Sequence, residues 1–272
     1  MSFALPDLLT VERLARDVAA RIILPRFGAL AQSEIRAKTA PDDLVTIADT
    51  EAEAALTRDL RAAFSGAAVT GEETAVDGFD YAADPLLFVI DPVDGTWPFA
   101  HGLPIFGTMV AVLRHGEAIG GVIHYPVTQD SLLVLRGGGV HRLDAGGQMS
   151  RLAPLSQTAR LETALLPLSQ HDAAGRVRLA AAFGAVSRIV TIQCSALEYR
   201  MLAEGQADIC LSTGLKPWDH HAGQLMLAEL GGFAATEDGR QWPDVRPEDH
   251  LLSAANRASW ERAMACLRGR AD

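Results

Sequence analysis

Two aspartates three positions apart, Asp91 and Asp94, stand in the hexapeptide Asp91-Pro92-Val93-Asp94-Gly95-Thr96, directly behind the apolar run Leu86-Leu87-Phe88-Val89-Ile90. Such a run reads as a fully buried strand. The six residues after it read as a turn that presents both carboxylates at the strand end, where ligands gather in α/β sheets. Pro92 fixes the chain behind Asp91, Gly95 permits a tight bend, and backbone N–H groups near Thr96 become available to an anion. Oxygen ligands for a hard divalent cation beside an anion cradle outline a phosphoryl-transfer site. Taken alone, the hexapeptide is also an ordinary aspartate-rich turn.

Two other segments supply further carboxylates. Val69-Thr70-Gly71-Glu72-Glu73 ends a short apolar stretch in paired acids, and Trp218-Asp219-His220-His221-Ala222-Gly223 opens an amphipathic segment that runs to Gly231-Gly232. Glu72 and Glu73 could simply be solvated. Asp219 could be a helix N-cap, a role compatible with presenting its carboxylate at a helix mouth.

In order and spacing, Gly71-Glu72-Glu73, the Asp91–Thr96 hexapeptide and Trp218-Asp219 resemble the inositol monophosphatase family of metal-dependent, lithium-sensitive phosphatases. The likeness covers nearly the whole chain. Lys38 with Asp43-Leu44-Val45-Thr46 and Asp49 is similar to the family's amino-terminal segment. Gly121-Val122-Ile123 with Pro126 and Arg136-Gly137-Gly138-Gly139 is similar to its central strands. Ala203-Glu204-Gly205-Gln206-Ala207-Asp208 and Glu229-Leu230-Gly231-Gly232 are similar to its carboxy-terminal half.

That resemblance implies an α+β or α/β chain folded as a layered αβαβα sandwich. It would be one compact unit, with a half at 1–154 carrying most metal ligands and a half at 155–272 carrying Asp219 and the substrate side. It implies Mg²⁺ as cofactor: Glu72, Asp91 and the Val93 carbonyl hold one ion, and Asp91, Asp94 and Asp219 a second, with Asp91 bridging. A third ion near Glu72 is a family feature that the sequence leaves open. Glu72 would orient the attacking water or take its proton, and Thr96 paired with Asp49 would hold that water in line. The amides of Gly95 and Thr96 would bind phosphate oxygens, while Asp94, Ser195, Ala196 and Ser212 would face the substrate. Two Mg²⁺ ions roughly 3.5–4 Å apart suit an in-line displacement, because they stabilise both the entering and the leaving oxygen. A homodimer acting on a small phosphorylated metabolite completes the implied reading.

Three departures bear on substrate. The family's inositol-contacting glutamate, seven residues before the tryptophan-aspartate acid, is Ser212, which lacks a carboxylate's grip on a diol. Cys194 stands where a glycine of a Gly-Ser/Thr-Ala stretch is expected, and Pro98 replaces an asparagine. Gly214-Leu215-Lys216-Pro217-Trp218-Asp219 also occurs in the histidinol-phosphatase branch. The reading is therefore hydrolysis of a small phosphate monoester, inositol monophosphatase-like. Histidinol phosphate and nucleotide 3′-phosphates remain open as substrates, and a non-catalytic metal- or phosphate-binding regulator is the alternative from another class.

Composition sets the outer bounds. A chain of 272 residues, 49% of them hydrophobic, can bury a substantial core. Cys194, Cys210 and Cys266 lack metal-ligand spacing, and their odd count speaks for inert thiols in a reducing compartment rather than a disulfide framework. The start, Met1-Ser2-Phe3-Ala4-Leu5-Pro6-Asp7, has no basic n-region, and no run of about 18 apolar residues occurs, so a cytoplasmic, non-membrane protein is expected. A net charge of −10 without a basic patch argues against nucleic-acid binding.

The elements that must position these residues are set by periodicity. Helical spacing runs over 7–27 and 47–64, then short strands near 67–70 and 86–90. Segments at about 106–113, 118–125, 131–136 and 139–143, parted by turn residues, suggest an antiparallel meander. Beyond about residue 155, strands near 161–167, 187–193, 207–211 and 251–254 alternate with helices near 173–183, 195–204, 219–230 and 256–268. His220 and His221 point about 100° apart on a helix and do not suit one ion. Arg136-Gly137-Gly138-Gly139 reads as a hairpin turn, and Trp97 and Trp218 as packing residues.

Asp91→Asn is expected to remove most activity, since a bridging ligand would lose its charge toward two cations at once. Asp219→Asn, far away in sequence, is expected to raise the Mg²⁺ concentration needed for half-maximal turnover. An effect of Asp219→Asn on folding alone would leave it a helix cap.

Overall fold

The computed structural model describes residues 3–40, 43–76 and 78–269, so Met1 and Ser2 of the amino-terminal reading lie outside it. The first half contains α1 (Leu5–Val18), β1 (Ile35–Ala37), β2 (Leu44–Thr46), α2 (Ile47–Ala63), β3 (Ala68–Gly71), β4 (Leu87–Asp94) and α3 (Thr96–Ala100). A meander of β5 (Gly107–Arg114), β6 (Glu117–Tyr125), β7 (Asp130–Leu135), β8 (Gly139–Leu143) and β9 (Met149–Arg151) comes next. Then come β10 (Thr163–Leu165), α4 (Ala173–Ala182), β11 (Arg188–Val190), α5 (Ser195–Ala203), β12 (Ile209–Ser212) and α6 (Pro217–Glu229). The last elements are β13 (Phe233–Ala235), β14 (Leu251–Ala254) and α7 (Arg257–Leu267).

Strands β3 to β9 form a seven-stranded sheet in sequential order, parallel at β3–β4 and antiparallel beyond. A five-stranded sheet runs β11-β10-β12-β14-β13, parallel across its first three strands. Helices α1 and α2 pack on one face of the larger sheet, α5 and α6 lie between the sheets, and α7 with α4 covers the far side of the smaller one. The result is the αβαβα layering that the resemblance implies. Strand alternation divides the core: Leu87 and Val89 of β4 face the interior shared with α5 and α6, while Phe88 and Ile90 pack with α1 and α2.

The structure changes two details. The amphipathic segment at 7–27 is not one helix. α1 ends at Val18, the chain widens into a π turn over Ala19–Ile23, and it tightens into a 3₁₀ turn over Leu24–Arg26, where Pro25 cannot donate to an α-helical ladder. Residues 91–94 are not a turn either. β4 stays paired with β5 through Asp94, and one extra residue is taken up between Asp91 and Asp94, a bulge that accommodates the donor-less Pro92. The three-residue strands β1, β2, β9 and β13 are too short to carry a period, and sequence patterning does not reveal them.

The central helices sit close together at small residues. A Cβ on Gly223 would lie 2.1 Å from the Tyr199 ring, and one on Gly121 2.8 Å from the Ala222 Cβ. Gly223→Ala is expected to destabilise by about 1–3 kcal/mol despite alanine's better helix propensity, because the ring has to be displaced. A denaturation midpoint equal to that of the parent would show that Tyr199 moves freely.

Candidate metal centre and active site

The bulge turns the end of β4 into a platform. Asp91 and Asp94 emerge from it, buried at 2% and 7% exposure. Helix α6 begins beside them: Lys216 is its N-cap residue, Pro217 opens the first turn, and Asp219 lies within that turn, where the helix dipole favours a carboxylate. Asp219 is thus not the cap. Ligand atoms of Asp91, Asp94 and Asp219 lie within 4.8 Å of one another.

The two strand-end carboxylates are held by hydrogen bonds. Asp91 Oδ1 accepts the Val93 amide at 3.0 Å. Asp94 accepts Ser195 N at 3.1 Å, Ala196 N at 2.6 Å and the Cys194 thiol at 3.0 Å, so the start of α5 clamps it. Burial, then the charges of Glu72, Asp94 and Asp219, push Asp91 well above the usual carboxylate range. Burial, then Asp94 and Glu72, do the same to Asp219. Burial also lifts Asp94 to about 6, with the amide and thiol bonds pulling the other way. Three convergent carboxylates raised by burial and mutual repulsion fit a hard divalent cation, which needs oxygen ligands and relieves both costs.

Asp49 lies beside this cluster, fully buried in α2. Its Oδ2 accepts the Thr46 amide and hydroxyl, a capping box that fixes the helix start. Its Oδ1 accepts Thr96 Oγ1 at 3.0 Å, and Thr96 Oγ1 is also 3.0 Å from the Val93 carbonyl oxygen. Burial raises Asp49 to about 6. Glu72 comes directly after β3 and pairs with Lys38 Nζ at 2.8 Å, while Glu73 takes the same ammonium at 2.7 Å. Gly95, at φ +86°, starts α3, and a Cβ there would meet the Ile105 carbonyl oxygen at 2.6 Å.

A small cavity of about 120 Å³ adjoins the cluster, with Ser195 and Ser212 in its wall beside Asp94 and Asp219. Ala196 is fully buried and does not line it, its amide being committed to Asp94. Gln193 has a left-handed backbone (φ +58°), while Cys194 is extended (φ −155°), a conformation open to any residue. Glu198 of α5 also lines the cavity, and sequence reasoning missed it: an acid one turn into a helix looks solvated.

The remaining motif residues have structural roles. His220 Nδ1 is 2.8 Å from the Tyr199 hydroxyl and His221 Nδ1 accepts from Trp242 at 2.9 Å, so both imidazoles are bound within the core. Arg136-Gly137-Gly138-Gly139 joins β7 to β8, and the amides of Gly137 and Gly139 bind the Glu229 carboxylate. Trp218 is partly buried against the core, but Trp97 is 36% exposed and stacked on His101 rather than packed inside.

The model of the inositol monophosphatase family matches residues 6–270. An inositol-1-monophosphatase of Mesorhizobium japonicum is 32% identical over 240 residues, covering 86% of this chain and 87% of that one. A histidinol-phosphatase of Mycobacterium tuberculosis is 31% identical over 241 residues, covering 87% and 90%. The Thermotoga maritima IMPase structure superposes with a TM-score of 0.81 over 98% of both chains at 23% identity, a likeness of fold. With its acidic centre at the end of β4, this chain belongs to the inositol monophosphatase family of metal-dependent phosphomonoesterases.

Proposed function

We propose that this chain hydrolyses the phosphate monoester of a small alcohol with Mg²⁺ as cofactor. One observation carries the reading. Asp91 and Asp94 from a strand end and Asp219 from a helix start, far apart in sequence, converge next to the Asp49–Thr96 pair. In this reading Asp91, Asp94, Asp219, Glu72 and the Val93 carbonyl hold two cations. When bound, these supply charge neutralisation for the phosphoryl group and a lowered water pKa. Lys38 takes Glu72 Oε1, which would leave Oε2 to meet metal and orient the incoming water. The Thr96 hydroxyl hydrogen is committed to Asp49 or the Val93 oxygen, which leaves its lone pairs to accept a hydrogen bond from water. The first amides of α3, at Gly95 and Thr96, have no partner within the helix and suit phosphate oxygens. Ser195 and Ser212 face the leaving group. Among the described residues no helix is long and apolar enough to cross a membrane. A cytoplasmic homodimer that binds no nucleic acid completes the proposal.

Release of phosphate from p-nitrophenyl phosphate and from a panel of phosphorylated metabolites tests the activity. Turnover is expected to require Mg²⁺ and to be inhibited by Li⁺ and by Ca²⁺, whose longer bonds and looser geometry fit oxygen sites without reproducing an octahedral one. Metal binding without turnover on any substrate would make the chain a regulator.

Stability gives a second test. Asp49 and Asp94 titrate near 6 in the fold against the ordinary value of 3.8. A raised carboxyl pKa stabilises the fold fully below the lower value, and that contribution is lost as pH rises through the upper one. Bound cations remove the cost of ionisation. The gain in denaturation midpoint from Mg²⁺ over chelator is therefore expected to grow from about pH 5 to about pH 7. A gain that shrinks over this range would contradict the metal assignment.

A further inference from the structure

The cavity beside the three aspartates has an acidic wall. Asp94, Glu198 and Asp219 line it with neutral Gln170, Ser212 and Thr213, and no lysine or arginine is in its wall. Lys216, the N-cap residue of α6, stands outside the wall with its Nζ over the Trp218 ring, and its charge acts on Asp219 rather than on Glu198. Asp94 is clamped by α5 and, with Asp219, belongs to the metal cluster. Glu198 has neither arrangement.

The sole side-chain hydrogen bond of Glu198 among the described residues comes from the Cys210 thiol, at 3.5 Å. A thiol is a weak donor, so the oxygens of this half-buried carboxyl group are poorly satisfied by the protein. Burial, then the charge of Asp94, pushes Glu198 up to about 8. Cys210 Sγ also lies 3.8 Å from Ser212 Oγ, so Glu198 stands next to the position where the resemblance places a substrate contact. A ligand group that brings both positive charge and N–H donors draws this group into its carboxylate form and pairs with it; the neutral hydroxyls of a polyol bring no charge to do so.

We propose that Glu198 is the specificity-determining residue of this pocket and binds an ammonium group on the leaving alcohol, so that the substrate is the phosphate of a small amino alcohol. The inference rests on the phosphatase reading above and narrows its substrate class.

Minimal pairs test it: 2-aminoethyl against 2-hydroxyethyl phosphate, and 3-aminopropyl against 3-hydroxypropyl phosphate, the two lengths allowing for reach. The parent chain is expected to favour the amine by about tenfold or more in kcat/KM for at least one pair, the scale of a lost charge-assisted contact. Glu198→Gln is expected to collapse that ratio, and Glu198→Asp to keep part of it. A parent that prefers the hydroxyl compounds overturns the proposal. So does a Glu198→Gln variant that slows both members of a pair equally, the signature of a merely structural residue. Should Glu198→Gln not fold, the parent alone decides, by calorimetric binding of 3-amino-1-propanol against 1,3-propanediol in the presence of inorganic phosphate. The same binding comparison judges Glu198 if p-nitrophenyl phosphate is not hydrolysed with Mg²⁺, a result that would sink the phosphatase reading by itself.

Discussion

The site depends on how the fold keeps Asp94 buried and charged. Its carboxylate ends a strand of the larger sheet and receives two backbone amides and a thiol from the start of α5, a helix that leans on the smaller sheet. The unpaired amides and dipole of a helix start favour an anion, so each solves the other's problem. The approach this requires is permitted by glycines. A Cβ at Gly107 on β5 would sit 2.6 Å from the Ala196 Cβ, and one at Gly95 3.2 Å from the Cys194 Cβ. Larger residues at either position would push α5 off the strand end and separate Asp94 from its donors.

Helix α6 needs a different device, because Asp219 has no comparable clamp of amides and must be aimed by the rotation of its helix. Polar contacts inside the interlayer core set that rotation. Gln224 donates to the Tyr199 hydroxyl and Tyr199 in turn meets His220 Nδ1, while a second Gln224 bond reaches Ser253 on β14. Trp242 donates to His221 on the other flank. Burial lowers both imidazoles, His220 to about 3 and His221 to about 4, so they remain neutral, and His221 accepts at Nδ1. A buried network of this kind is costly when any member is unsatisfied. That makes one orientation of α6, the one presenting Asp219 to Asp91, much better than its neighbours.

Legibility in the sequence tracks the strength of local patterning. Runs such as Leu87–Ile90 and the amphipathic faces of α1 and α2 announce themselves through period and length, and the layering is their consequence. The acids at 72, 91, 94 and 219 are legible because their motifs have unusual composition in a fixed order. The bulge in β4 is not, since Asp-Pro and Asp-Gly signal a turn locally and only the partner strand β5 keeps the chain extended. The same limit hides Gln193, whose left-handed backbone is imposed by the docking of α5 against Asp94 rather than by its own preference. Glu198 is invisible for a third reason: whether a helical glutamate meets water or a cavity is decided by elements remote in sequence.

Charge around the centre is balanced residue by residue rather than by one common counter-ion. The fold gathers Asp49, Glu72, Glu73, Asp91, Asp94 and Asp219 within mutual influence and answers them by separate means. Helix amides meet Asp94, a threonine pair meets Asp49, and the Lys38 ammonium bridges Glu72 and Glu73. Asp91 and Asp219 touch each other, and burial with the charges of the neighbouring acids pushes both well above the usual carboxylate range, while Lys216 pulls Asp219 the other way. A divalent cation at this cluster would relieve both the burial cost and the mutual repulsion. Glu72 meets Lys38 through Oε1, which leaves Oε2 for such a site.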